Sequence, residues 1–335
     1  MRSTKLPLWI ERLVGLDDPR GPASVFLLDE RELVLAHFLR QDGAVPELQA
    51  VRRRELPADT FQEGALGGPL REPAQFHEVV AELQQAGDIA IGEAVTHAAL
   101  VLPDRWLRLT FAELEEVPGK PNLREEALRF KLRKQVPFRV EELRVRGRRT
   151  GAAGNGATRF LIGFGVEHVL AQIEDSFRRA GIHVGTVTNE SLSAADGLVR
   201  LDGGSGPFLL LVAHPDGYSL LAYADEGPAL FRYKSIDPDL PSSVTSNLAV
   251  RDLRLTRSFI EERELFGANR SLPAHVLVLA AEEDREAWSD RLEEGLGLSA
   301  RILDGNGTLG SQPAAAEIGV QQALPMLGAS LTVRT

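Results

Sequence analysis

Apolar and polar residues alternate along several short runs of the chain, and elsewhere apolar residues recur at helical spacing. Trp106-Leu107-Arg108-Leu109-Thr110-Phe111 alternates as a half-buried strand does, so a strand is expected over Trp106–Phe111. A helix is predicted over Leu123–Val136, opened by Asn122 with Glu125 three residues on, in the manner of a capping box, and stopped by Pro137. At 100° per residue Leu123, Ala127 and Phe130 form one apolar stripe, and Leu128, Leu132 and Val136 form another nearly opposite. A helix patterned in this way has two surfaces to cover.

The same series of elements is expected twice. The first half offers strands at Ser24–Leu28, Leu33–Leu39 and Glu47–Glu55, a helix at Ala74–Ala86 closed by Gly87, and a strand at His97–Leu102. The second half offers strands at Phe208–Ala213, Tyr218–Ala224 and Ala229–Ile236. A helix from about Ser243 to Phe266, a strand at His275–Ala281 and a helix at Asp284–Gly295 follow. Three strands, a helix and a strand recur in one order, which points to a duplicated α/β unit.

Material between the halves belongs to neither repeat. It comprises the strand Trp106–Phe111, the helix Leu123–Val136, the glycine-rich stretch Gly151–Gly156 read as a hairpin loop, a strand Arg159–Phe164 and a helix Val166–Ala180 capped by Gly181. Such a set can cover its own apolar faces as a small α+β module. The division expected is a 1–21 extension, a first lobe of 22–104 plus 183–202, an inserted module 105–182, and a second lobe 207–335. The second lobe closes with an Ala-rich helix over Pro313–Leu327, and His183–Val187 returns the chain to the first lobe.

At 335 residues two lobes are in keeping with the usual limit on one hydrophobic core. There is no cysteine, which removes disulfides, thiolate metal sites and thiol catalysis and suits a reducing compartment. No stretch approaches the ~18 apolar residues of a membrane span, and the apolar N-terminal run Leu6–Val14 is broken by Glu11 and Arg12. That run reads as an amphipathic segment docked on the first lobe or on a membrane surface. The net charge of −10 disfavours nucleic acid, yet residues 120–149 alone carry +7, leaving −17 elsewhere. The basic segment suits a solvated face, an acidic partner segment or anionic headgroups. With only Phe130 and Phe138 as aromatics it suits single strands poorly.

The strand ending in Leu102-Pro103, the acidic-basic helix after it and the Val136-Pro137-Phe138 exit, in that order and spacing, resemble the PilM family, cytoplasmic actin-like proteins of type IV pilus assembly. The resemblance implies a two-lobed actin-like ATPase fold with a module inserted as in FtsA-like proteins. It also implies an adaptor role at the inner membrane, with the protein cytoplasmic and peripheral. The partner would be the N-terminal cytoplasmic tail of a PilN-like bitopic membrane protein, with a PilO-like protein and pilus motor or platform components engaged indirectly. Leu128, Leu132, Arg133, Val136, Pro137 and Phe138 are the expected wall of the partner groove. Two other readings share the fold: a GspL-like cytoplasmic component of type II secretion, and a working ATP-binding member of the superfamily.

Actin-like ATPases clasp phosphates with two hairpin turns of small residues, because only those let backbone amides reach phosphate oxygens. Here the first turn reads Asp29-Glu30-Arg31-Glu32, which adds acid and bulk. The second reads His214-Pro215-Asp216-Gly217, where Pro215 lacks an N–H and Asp216-Gly217 makes the turn itself. In place of the adenosine-facing Gly-Gly stands Ala280-Ala281-Glu282-Glu283-Asp284, which reads as the acidic start of a helix. The expectation is a degenerate nucleotide site, no cofactor and no catalysis. The seven histidines lack ligand spacing, and each is expected to be an ordinary core-edge or surface residue, with no metal.

Overall fold

A computed structural model describes residues 21–39, 45–152, 156–201, 206–224, 227–237, 242–266, 275–296, 299–304 and 317–331. The extension up to residue 20, most of the linker 202–207 and the start of the expected closing helix lie outside them.

Near-continuous apolar runs such as Val25-Phe26-Leu27-Leu28 mark strands covered on both faces, and these runs form the centres of two sheets. The first contains β1 (Ser24–Leu28), β2 (Glu32–Leu39), β3 (Glu47–Glu55), β4 (His97–Leu102) and β8 (His183–Asn189), in the order β3-β2-β1-β4-β8. The second contains β9 (Phe208–His214), β10 (Gly217–Ala224), β11 (Gly227–Ser235), β12 (His275–Leu279) and β13 (Ser299–Ile302), in the order β11-β10-β9-β12-β13. In each, three strands meander antiparallel and two join in parallel. The duplication is therefore present strand for strand, including β13, which is too short and too interrupted by charge to stand out in the sequence.

Helices cover both sheets. On the outer face of the first lie α1 (Pro73–Ile91) and α3 (Glu167–Arg179), with Phe76, Val80, Ile173 and Phe177 packed on Phe26 and Leu100. On the outer face of the second lie α5 (Ser242–Glu262) and α6 (Arg285–Leu296). Between the lobes run α4 (Glu190–Leu201) and α7 (Gly319–Leu331), whose Ala194, Leu198, Ala323 and Leu327 share one core with Val25 and Val34 of one sheet and Leu210 and Leu277 of the other. These two helices cross closely. A Cβ on Gly328 would lie 1.7 Å from the Ser193 carbonyl oxygen, so only glycine fits there.

The inserted module is a three-stranded antiparallel sheet in the order β5-β7-β6, made of β5 (Arg108–Leu114), β6 (Leu143–Ala152) and β7 (Thr158–Val166), with α2 (Pro121–Leu132) on one face. Its core is Leu128, Leu132, Val145, Phe160 and Ile162. Strand β6 is absent from the sequence reading because Leu143-Arg144-Val145-Arg146-Gly147-Arg148 carries its alternation in arginines.

Several boundaries move. The module ends at Val166 rather than 182, because the apolar face of α3 covers the first lobe's sheet and ring pairs such as Phe26–Phe177 (4.8 Å between centroids) hold it there. Helix α1 continues through Gly87 to a left-handed cap at Gly92 (φ 72°). Gly87 serves a close approach instead, since a Cβ there would meet Leu35 at 2.4 Å. Helix α2 starts at Pro121 over Lys120 with no side-chain cap and stops at Leu132, so Asn122 caps nothing. Trp106 sits in the turn before β5, its N–H donating to the Pro103 carbonyl at 2.9 Å.

Candidate functional site

The two hairpin turns that would clasp phosphate face each other across the interlobe cleft, and their own side chains satisfy them. In the β1–β2 turn the Asp29 carboxylate accepts the backbone N–H of Arg31 (2.6 Å) and of Glu32 (2.7 Å). The amides a phosphate would need are thus already bonded. In the β9–β10 turn Gly217 is required because a Cβ would lie 2.1 Å from the Lys234 carbonyl oxygen. Asp216 of this turn pairs with Arg105 at 3.2 Å, and the same guanidinium pairs with Glu30 of the other turn. Arg105 therefore links the β1–β2 turn to the β9–β10 turn. Strand β12 ends at Leu279, Ala280 is fully buried, and Ala281 opens a short turn over Glu282–Asp284 into α6, as the acidic helix start expected there.

Behind Arg105 lies a buried charge cluster that the sequence does not announce. Asp104 is fully buried at the N-terminus of α4 and accepts the Ser191 N–H (3.1 Å) and the hydroxyls of Ser191 and Ser219. His214 bonds Asp104 through Nε2 (3.0 Å) and Glu190 through Nδ1 (3.1 Å). Burial by itself pushes an imidazole's pKa down, but hydrogen bonds and charge from both carboxylates outweigh it and raise His214 to about 10. Burial likewise pushes Asp104 up, and its bonds to His214, Ser191 and Ser219 more than reverse this. Glu190 is raised by burial despite its bond to His214. Ser219, His214 and Glu190 superficially resemble a nucleophile, base and orienting acid. Yet Ser219 is fully buried and its hydroxyl donates to Asp104, and an imidazole held protonated cannot accept its proton. The arrangement does not suit a nucleophile–base pair, and His214 is no ordinary core-edge histidine. Its members lie up to 115 residues apart, so no local signal could reveal them.

A second site lies where the module meets the first lobe. A groove of about 840 Å³ is walled by Arg144, Arg146, Gly147, Arg148 and Arg149 of β6 and by Gly185–Asn189 of β8, over an apolar floor that includes Leu107, Leu161 and Leu192. Both walls are edge strands of their sheets. Alternation along β6 buries Leu143 and Val145 in the module and leaves Arg144, Arg146 and Arg148 on the other side. Arg144 pairs with Glu167 (2.6 Å) and Glu174 (2.5 Å) of α3, which ties the module to the first lobe, and Arg146 pairs with Glu125 (2.8 Å) of α2 within the module. Arg148 lends its charge to Asp196 of α4, whose carboxyl is nevertheless pushed up to about 6 by burial. Among the described residues no group of three or more His, Asp or Glu side chains is arranged to hold a metal ion.

The residues expected to wall the groove are placed differently. Leu128 reaches it but is 1% exposed, and Leu132 is fully buried, because this stripe of α2 packs on the module's own sheet. Val136 and Phe138 pack at the edge of that core, with the Arg108 guanidinium 5.7 Å from the Phe138 ring centroid. Arg133 is tied to Glu141 at 2.7 Å, and neither it nor Pro137 lines the groove. The strict alternation of Leu143–Arg148 was the available signal for the β6 wall of this groove.

No family model matches the chain, and no curated protein matches it. Solved structures do. A PilM-PilN type IV pilus biogenesis complex is similar at 16% identity and a TM-score of 0.67, over 94% of this chain and 98% of that one. A Bacteroides thetaiotaomicron protein of actin-like ATPase fold and unknown function is similar at 9% identity and a TM-score of 0.52, over 85% and 91%. With the duplicated sheets and the module between β4 and β8, these likenesses establish a two-lobed actin-like ATPase fold.

Proposed function

We propose that this chain is a PilM-like adaptor that holds the N-terminal cytoplasmic tail of a PilN-like membrane protein in the groove between β6 and β8. It would thereby sit peripherally at the inner membrane. The observation that carries the reading is a groove with an unpaired strand edge on each wall. A short tail has no fold of its own, so its affinity comes from backbone pairing to such an edge, with pockets reading alternate side chains. A solved neighbour of this fold is itself a PilM-PilN complex, which supports the choice of partner. Arg148 and Arg149, wall arginines without an ion pair among the described residues, favour a tail with an acidic side chain or a carbonyl to receive them. On this reading the protein binds without turning over nucleotide, since Asp29 and Arg105 occupy the phosphate positions with the protein's own groups. A GspL-like role in type II secretion would use the same groove for a different membrane partner.

The test is binding of a synthetic tail peptide. Gly163 lines the groove and has room for a side chain, the nearest atom to an added Cβ being 3.7 Å away on Leu109. Gly163→Trp should fill the groove and abolish binding while the protein still melts cooperatively. Phe138→Glu should lower stability through the module core and leave affinity within about threefold, for it removes no direct contact. Loss of binding in Phe138→Glu with tight binding by Gly163→Trp would place the tail elsewhere.

A further inference from the structure

Helix α2 buries Leu128 and Leu132 and turns its other stripe to solvent. There Phe130 is 58% and Leu123 45% exposed, and Val117 in the preceding turn is 40% exposed. Among the described residues the other large exposed apolar side chains, Leu39, Ile89, Val244 and Leu255, are scattered over other elements. Lys120 and Lys131 are exposed beside this stripe, and Lys134 just past the helix places its Nζ 5.9 Å from the Phe130 ring centroid. Among the described residues these three lysines make no ion pair, whereas Arg133 and Arg146 are tied to Glu141 and Glu125. Glu126 shares the face, and Glu115 and Glu116 are exposed next to Val117.

We propose that this face of α2 is a docking surface for an anionic lipid bilayer. Two features select a bilayer over a protein partner. The patch offers three large exposed apolar side chains with lysines among them, whereas a stable protein interface needs roughly 800 Å² per partner and is poor in lysine at its centre. A membrane interface asks for this pattern instead: an aromatic and an aliphatic side chain dipping below the headgroups, with lysines around them at phosphate level. The charge distribution then orients the molecule. Segment 120–149 carries +7 and the rest of the chain −17, so an anionic surface attracts the module and repels both lobes. The surface is independent of the groove reading, and holds whether or not the groove takes a tail.

Co-sedimentation of the full chain with phosphatidylcholine vesicles, with and without phosphatidylglycerol, tests it. Wild type should bind only the anionic vesicles and release in high salt. Each lysine near such a surface contributes about fivefold in partitioning, so Lys120→Glu, Lys131→Glu and Lys134→Glu together should cost a hundredfold or more. Phe130→Ser should cost about tenfold. All four positions are exposed, so melting temperatures should stay at the wild-type value. Arg148→Glu, which reverses one charge of the same segment away from the α2 stripe, should cost far less than the triple lysine variant. Equal binding to neutral and anionic vesicles, or none to either, would overturn the proposal. So would binding that is indifferent to Phe130→Ser and matched by heparin beads, which marks a general polyanion patch, or binding lost only in Arg148→Glu.

Discussion

At the scale of residues, His214 is the pivot of the molecule's electrostatics. Its folded pKa of about 10 lies above the ordinary 6.5, so the folded state holds a proton that the unfolded state releases between those values. The stabilisation is fully present below pH 6.5 and is lost as pH rises towards 10. Thermal or urea unfolding of wild type should therefore show stability falling across that window, and His214→Ala should flatten the dependence. The same substitution strands Asp104 and Glu190 without their shared counter-charge, at a cost of about 3–5 kcal/mol near neutral pH, the usual penalty for an uncompensated buried charge. A His214→Ala protein as stable as wild type, with an unchanged pH profile, would show that the imidazole is not charged in the fold.

At the scale of elements, the crossing of α4 and α7 sits in the core shared by both sheets, and glycine brings the two backbones into contact. Gly328→Ala should destabilise the protein by about 2–3 kcal/mol in urea titration, although alanine favours a helix by about 1 kcal/mol over glycine. The obstacle is the Ser193 carbonyl, part of a helix backbone that cannot swing aside. A neutral or stabilising outcome would mean that the helices separate readily. Helix α2 shows the complementary case. Its sequence carries two apolar stripes, and only one finds a sheet, so the other remains for a surface outside the molecule.

For the whole molecule, the consequence of Arg105 joining Glu30 to Asp216 is a cleft bridged without nucleotide. Added Mg-ATP or Mg-ADP at millimolar concentration should leave the melting temperature unchanged. A ligand at a hundred times its dissociation constant would contribute about 2.7 kcal/mol and be plainly visible. A clear rise would show that the internal bridge yields to phosphate and that an ATP-binding reading is correct.

The sequence by itself determined the repeated order of strands and helices, the existence of an inserted module and the departure of the two hairpin turns from a small-residue pattern. Each of these is written locally, in the period of apolar positions or in the identity of a few turn residues. Asp29-Glu30-Arg31-Glu32 cannot offer free amides and little bulk whatever surrounds it. The tertiary structure decided the rest. Which stripe of α2 is buried depends on the sheet it meets, and the module's true end depends on α3 covering the first lobe rather than its neighbours in sequence. Strand β6 was hidden because arginines filled its polar positions, and those arginines became a groove wall only once β8 lay opposite. The Asp104–His214–Glu190 cluster draws its members from three separate elements, and burial, which sets their charge, is a property that only the packed chain possesses.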